Sequence, residues 1–210
     1  TSPTLLLDVA NGKHLNGATL TINGGGGTAT VTLADVTVSQ VEQQAPSPGG
    51  NPALETVKFN FGTVAEHVDS NFADTGAAAV VGQMALPGQP AVPLTNLDWS
   101  ATNSDTAGGG SGGGAGKVTF SDVSVTKALD VQSPTLFDDA ASGRALPSVG
   151  VTTTTSGLTL TNARVTSYSL SDDGTAGGGP AETVTFDFAK FQETVGNVVA
   201  GWDVTTNAPF

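Results

Sequence analysis

Apolar and polar residues alternate along most of this chain, which is the pattern that predicts β-strands. The alternation runs through residues 18–22 and 28–41, with the glycines of residues 24–27 between the two runs. It changes phase between Leu33 and Val36, which predicts a bulge or bend inside one strand. The first quarter of the chain therefore predicts two strands, the second of which is bent.

Two segments of the chain occur twice. ETVKFNF at residues 55–61 returns as ETVTFDF at 182–188, an offset of 127 (182 − 55), and both place valine and phenylalanine on one face of a strand. SPTLLLDVANGKHL from Ser2 returns as SPTLFDDAASGRAL from Ser133, an offset of 131 (133 − 2). Because the copies also agree in order, the chain is predicted to contain two related β units.

One short helix is predicted in each copy. Ser2 or Ser133 is the expected N-cap, the following proline suits the first helical position, and Gly12 or Gly143 ends the helix. The predicted fold class is all-β, with two β-barrel or β-sandwich units that each carry one short helix.

The predicted boundaries are a partial β unit at 1–75, a proline-rich connection at 76–95 and a β unit at 96–210. In the last unit, short strands are expected at 96–101, around Trp99, and at 118–129. The first unit has no strands before its Ser-Pro-Thr-Leu segment and is expected to be incomplete at its N-terminus. Such a sheet would expose unpaired strand edges. Either another chain completes the unit or residues are missing from its N-terminus.

The charge balance excludes some partners. The chain has 7 Lys+Arg against 19 Asp+Glu, a formal net charge of −12 and a pI near 4.1. Nucleic-acid affinity depends on clustered basic residues, so neither a nucleic acid nor an anionic membrane surface is expected as a partner. There is no cysteine, which excludes disulfides and thiolate metal sites, and no apolar run approaches a membrane span of about 20 residues.

The glycine run 108–116 with Lys117 invites a comparison with phosphate-binding loops. A phosphate-binding loop has a glycine five residues before its Gly-Lys pair and a serine or threonine directly after the lysine. Here those two positions hold Ser111 and Val118, and a strand rather than a helix is expected to follow. The segment is therefore predicted to be a flexible connecting or inter-subunit loop.

The histidines and the densest aspartate clusters are also predicted to lack a catalytic or metal-binding role. His14 and His67 lack companion ligands at tight spacing and are expected in a turn and at a surface strand end. Residues 172–174 and 138–139 lack the alternating oxygen ligands of a calcium loop, although a weak surface calcium site at one of them stays open.

Two further groups of residues are predicted to be structural. Glu55 and Glu182 occupy the same place in their two copies, which separates them and favours a role at the loop-to-strand junction over paired-carboxylate catalysis. Trp99, Trp202 and Phe120 are expected to pack in a core rather than form a sugar-stacking platform. No catalytic residue, metal site or cofactor is predicted.

With these landmarks, the chain resembles the haemolysin-coregulated protein (Hcp) family, the tube protein of type VI secretion. The resemblance rests on GGGAGKVTFSDVSVTKALDVQSPTL from Gly112, SGRAL from Ser142, the Glu182-Thr183-Val184 strand and the closing Gly-Trp-Asp-Val of 201–204. In the first copy, NGKHL from Asn11 and the segments 33–41 and 55–61 resemble the corresponding family segments. It implies a β-barrel flanked by a small helix, whose protomers form rings that stack into a tube able to carry effector cargo. A tandem with a partial first copy departs from that pattern.

The predicted function is a structural subunit that self-assembles into an extracellular tube or filament, without inserting into a membrane. Strand edges and glycine loops would complete neighbouring subunits. The alternative is a secreted effector carrier or adhesin that acts as a discrete oligomer. The predicted assembly residues lie in the N-terminus, the first strand and the glycine loop: Thr1, Leu5, Thr19, Leu20, Thr21, Ile22, Gly108, Gly112, Gly116 and Lys117.

Overall fold

A computed structural model of the chain describes residues 8, 10–24, 26–44, 54–70, 79–103, 118–172 and 179–210. The chain divides into two compact units. The N-terminal unit comprises residues 1–23 and 28–69, and the C-terminal unit comprises residues 24–27 and 70–210. Within the described residues, the all-β prediction is confirmed, because sixteen strands are accompanied by one ten-residue helix, α1, and by three further helical residues at positions 8, 10 and 11.

The N-terminal unit contains one four-stranded sheet. Its strands are β1 (His14–Gly24), β2 (Gly27–Gln44), β3 (Leu54–Asn60) and β4 (Thr63–Val68). The long β2 lies between β1 on one side and β3 and β4 on the other. β3 pairs with the second half of β2 and β4 with its first half, so β3 and β4 together follow β2 as one interrupted antiparallel strand.

The C-terminal unit contains a ten-stranded sheet and a two-stranded hairpin. Its elements are β5 (Gly82–Ala85), β6 (Val92–Leu94), β7 (Asn96–Asp98), β8 (Ala101–Asn103), β9 (Val118–Phe120), β10 (Val123–Ala128), α1 (Ser133–Ser142), β11 (Ala145–Thr153), β12 (Ser156–Ser171), β13 (Ala181–Asp187), β14 (Lys190–Val195), β15 (Val198–Asp203) and β16 (Ala208–Pro209). The long β12 lies between β11 on one side and β13 and β14 on the other. β5 continues the sheet beyond β11, and β10 continues it beyond β13.

The strands of the two sheets correspond one to one. β2, β3 and β4 hold the places of β12, β13 and β14 at the offset of 127 residues, and β1 holds the place of β11 at the offset of 131. The interruption recurs as well, because Asp35 and Asn162 (162 − 35 = 127) both adopt a positive φ, of 51° and 52°. The bend predicted between Leu33 and Val36 is thereby confirmed, since β2 changes partner there.

A ladder irregularity follows each bend at the same distance. The β2–β3 register shifts between Val38 and Gln40, and the β12–β13 register shifts between Val165 and Ser167. A bulge re-aims a strand and increases its twist, so its position is a specific structural feature. The repeated sequence therefore encodes the repeated bend and bulge as well as the repeated strands.

Some predicted boundaries differ from the structure. Residues predicted to be a proline-rich connection over 76–95 include β5 and β6, which belong to the ten-stranded sheet. The single strand predicted at 96–101 is two strands that leave Trp99 between them, and the strand predicted at 118–129 is interrupted at Ser121 and Asp122. Alternation alone did not reveal these breaks, because β7 and β8 belong to different sheets, as do β9 and β10.

Helix α1 ends as predicted but begins differently. Gly143 ends it in the left-handed region at φ 64°, and its N–H donates to the carbonyl of Asp139. The N-cap is Gln132, not Ser133. The Ser133 hydroxyl instead accepts a hydrogen bond from the N–H of Asp130, which closes the turn before the helix. In the first copy, residues 8, 10 and 11 are helical and Gly12 has a φ of 59°.

The main core lies in the C-terminal unit. It combines the inward faces of the sheet with Leu136 of α1, and Trp99 and Phe120 pack against it. The aromatic rings pack closely at tilted angles, with centroids 4.5 Å apart for Trp99 and Phe191 and 5.1 Å apart for Phe120 and Phe191. Trp99 and Phe120 are half-buried and pack against the core as predicted. Trp202 is half-buried in β15.

Candidate assembly surfaces

The predicted edge at Thr19–Ile22 lies within β1, and Leu20 there is 58% exposed. Among the described strands, β1 pairs only with β2. The counterparts of these four residues, at the offset of 131, are Gly150–Thr153 in β11, and those residues form a ladder with β5. The structure thus shows a partner strand at this place in the C-terminal unit and none among the described strands of the N-terminal unit.

A second edge without a partner lies on β3. Among the described strands β3 pairs only with β2, whereas its counterpart β13 pairs with both β12 and β10. In the C-terminal unit the two strands that fill the corresponding places, β5 and β10, both lie within residues 82–128. Edges of this kind present unpaired N–H and C=O groups that can pair with another strand. The sequence pattern predicts only the β1 edge.

A buried ion pair holds β10 against β13. Lys127 Nζ lies 2.6 Å from Glu182 Oε1, and both side chains are fully buried. The Tyr168 hydroxyl donates to Glu182 Oε2 at 2.9 Å, and Lys127 also reaches Asp130 at 2.9 Å and Ser133 at 3.3 Å. The network connects the start of α1 to β10, β12 and β13. These contacts agree with the structural role predicted for Glu182.

A different acid–base pair, unlike the one between Lys127 and Glu182, is present in both copies. Asp139 is 1% exposed and binds the Arg144 guanidinium, which raises the pKa of Arg144. At the offset of 131, Asp8 is 6% exposed and lies 3.3 Å from Lys13 Nζ. The Asp139–Arg144 pair joins the last turn of α1 to a residue just beyond its end, which is a structural arrangement. Among the described residues, no three His, Cys, Asp or Glu side chains are grouped where they could hold a metal ion.

The histidines lie at exposed positions. His14 begins β1, and His67, whose side chain is 76% exposed, is the second-last residue of β4. His67 Nε2 lies 3.9 Å from Asp69. The surface position predicted for His67 near a strand end is confirmed.

An exposed apolar hairpin was not anticipated. β14 and β15 meet at a turn in which Gly196 has a φ of 59°, and the flanking Val195, Val198 and Val199 are 51%, 73% and 56% exposed. The run Val-Gly-Asn-Val-Val in the sequence is the signal that could have revealed it.

Several predicted assembly residues lie outside the described residues. These are Thr1, Leu5, Gly108, Gly112, Gly116 and Lys117. Asp173 and Gly174 also fall outside them, whereas Asp138 lies on the exposed side of α1. Within the described part of the chain, no helix combines the length and apolar character needed to cross a membrane.

Comparison with known proteins points to one family. Residues 89–195, just over half of the chain, match the family described as "Type VI secretion system effector, Hcp". The chain resembles the solved structure of "a type six secretion system protein" with a TM-score of 0.54 and 22% identity, over 63% of this chain and 100% of that one. It resembles Hcp1 from Salmonella typhimurium with a TM-score of 0.53 and 20% identity, over 62% and 99%. No curated protein sequence matched.

Proposed function

The chain belongs to the Hcp family of type VI secretion, and from this we propose that it is a structural subunit that self-assembles into a tube or filament. The observation that carries the proposal is the pair of edges, on β1 and β3, that have no second partner among the described strands of the N-terminal unit. The corresponding edges of β11 and β13 in the C-terminal unit are both occupied. In the C-terminal sheet these edges are paired, and in the N-terminal sheet they have no second partner among the described strands. Such edges offer a surface to which further strands can add.

The proposed mechanism is strand completion between subunits. Pairing an edge satisfies its backbone N–H and C=O groups and covers the apolar side chains beside it. The contacts would be formed by residues 19–22 of β1 and, as the sequence suggests, by the N-terminal Thr1 and Leu5. We further propose that the chain is a tandem of one partial and one complete Hcp-like unit, divided near residue 75, because β5 and β6 already belong to the second sheet.

The glycine loop is proposed as a second contact. Residues 108–116 and Lys117 connect β8 with β9, and the resembling family uses its extended loop between neighbouring subunits. A glycine-rich segment adapts to a partner surface because it has few steric restrictions. No part of the assembly mechanism calls for a catalytic group, a metal or a cofactor.

The place of action in this proposal is outside the cell, with effector cargo as a further partner. Family proteins pass through a secretion system, which supports the secreted part of the proposal. The net charge of −12 disfavours nucleic acid as cargo, because like charges repel.

Negative-stain electron microscopy of the native protein tests this function. We expect regular tubes or filaments, and analytical ultracentrifugation should show open-ended mass distributions. Single particles at every concentration would reject self-assembly and favour the carrier or adhesin alternative. Deleting residues 108–116 should shorten or abolish the polymers. The control is a deletion within residues 45–50, which shortens a different connection and should leave the polymers unchanged. Unchanged polymers after the first deletion would reject the role of the loop.

A further inference from the structure

The ladder between β10 and β13 shows what a completed edge looks like in this protein. Six residues of β10 pair antiparallel with six of β13, from Val123 opposite Phe186 to Ala128 opposite Ala181. Val123 and Val125 are fully buried, and Lys127 occupies the next inward position, opposite Glu182. The completing strand therefore has the pattern Val-x-Val-x-Lys.

β3 pairs with β2 in the same register in which β13 pairs with β12. Val57 pairs with Val41 and Phe59 with Val38, and their counterparts Val184 and Phe186 pair with Tyr168 and Val165 at the same offset. The same bulge interrupts both ladders. Because strand direction, register and bulge agree, the outer edge of β3 has the geometry that β13 presents to β10.

The side chains of β3 are incompletely covered. Val184 and Phe186 are fully buried, but Val57 and Phe59, which are the same residue types at the corresponding positions, are only half-buried. The apolar face that β10 helps to cover in one unit thus remains partly exposed to water in the other. Covering it would contribute free energy in proportion to the apolar area removed from water.

We infer that β3 accepts, in trans, an antiparallel strand with the chemistry of β10. The partner is an extended segment of another polypeptide with two valines spaced by one residue and a lysine two positions later. In the β10–β13 register, the valines lie opposite Val57 and Phe59, and the lysine lies at the position opposite Glu55. This inference rests on the proposed strand-completing function, and it identifies β3, rather than β1 alone, as the receiving edge.

A photo-crosslinking experiment tests it with a defined probe. The probe is a dye-labelled synthetic peptide of residues 118–130 (VTFSDVSVTKALD), in which Ser124 is replaced by p-benzoylphenylalanine. It is mixed with the full-length chain after any polymers have been dispersed. In the β10–β13 register Ser124 lies opposite Thr185, whose counterpart in β3 is Lys58. We expect mass spectrometry to locate the crosslinks within residues 54–60.

The matched control is the same peptide with Val123→Asp and Val125→Asp, which keeps the length, the lysine and the photoreactive group. It should label β3 at least about tenfold less, because aspartates would face the apolar side of the strand. Equal labelling by both peptides, labelling confined to residues 181–187, or no labelling would each overturn the inference. Labelling at 181–187 would mean that the peptide exchanges with the chain's own β10.

The result is separable from the outcome for the proposed function. If microscopy shows no polymers but the peptide labels β3, self-assembly fails and the receiving edge stands. If polymers form but the dispersed subunit is not labelled at β3, this inference alone fails. Intact polymers should be labelled less than dispersed subunits, since a neighbouring strand would already occupy the edge.

Discussion

The two units share their strands and differ in what covers them. Bend, bulge and pairing partners recur at an offset of 127 residues, from Asp35 and Asn162 onward. Burial does not recur, because Phe186 is fully buried and Phe59 is not. The comparison teaches that local sequence and neighbouring ladders define strand geometry, whereas burial depends on the strands that close the sheet.

The buried ion pair sharpens this difference. Lys127 belongs to β10, a completing strand with no counterpart among the described strands of the N-terminal unit. Burying two charges is costly unless they are paired and hydrogen-bonded, as they are here. The pair therefore gives the C-terminal unit a specific register between β10 and β13.

The largest effect is expected from breaking that pair. Lys127→Met would leave the Glu182 carboxylate buried beside an apolar side chain and lower the free energy of unfolding by about 3–5 kcal/mol. Both tryptophans, Trp99 and Trp202, lie in the C-terminal unit, so urea unfolding followed by their fluorescence measures this unit. Lys58→Met on the exposed face of β3 is the control and should change this transition by less than about 0.5 kcal/mol. Equal losses would contradict the assigned role of the pair.

A pair of matched truncations compares the two cores directly. Phe186→Ala should cost about 3–4 kcal/mol, because it empties a fully buried site, and Phe59→Ala should cost about half as much in the dispersed subunit. Hydrogen exchange of the peptides that contain β13 and β3 would report each loss separately. If the two losses were the same, the β3 face would be as well covered as that of β13.

The shared bend predicts a smaller effect that is equal in both units. Asp35→Ala and Asn162→Ala should each lose about 1 kcal/mol, since alanine tolerates the left-handed conformation poorly. Glycine at either position should lose less than alanine. Hydrogen exchange at β4 and β14 measures the two effects, and an alanine cost at only one position would show that the bends are not equivalent.

The smallest effect is a pH dependence in the C-terminal unit. Hydrogen bonds from the Thr205 hydroxyl and the Thr206 N–H, with Lys190 at 3.2 Å, hold the pKa of Asp203 well below its usual value. Because the folded pKa is depressed, the stabilisation is complete above the unfolded pKa of about 4 and is lost as the pH falls below it. Tryptophan-monitored unfolding between pH 7 and pH 3 measures the loss. Asp203→Asn should flatten that pH dependence, and an unchanged slope would contradict the assignment.

Much of the fold could be predicted because the information is local. Alternation located β2 and β3, the change of phase near Val36 located the bend, and Gly143 marked the end of α1. The breaks around Trp99 and at Ser121 could not be predicted in this way, because strands that change sheets keep the same alternation. The same limit applied to the candidate site, where only the β1 edge was anticipated.

The all-β class, the two repeated units, the resemblance to Hcp and the lack of cysteines can all be read from the amino-acid sequence. That β10 completes β13 through Lys127 and Glu182, and that β3 has no such partner among the described strands, emerges only from the folded chain. Strand pairing joins residues far apart in the chain. A strand's own pattern specifies which face is apolar, but not which neighbour, if any, satisfies its edge.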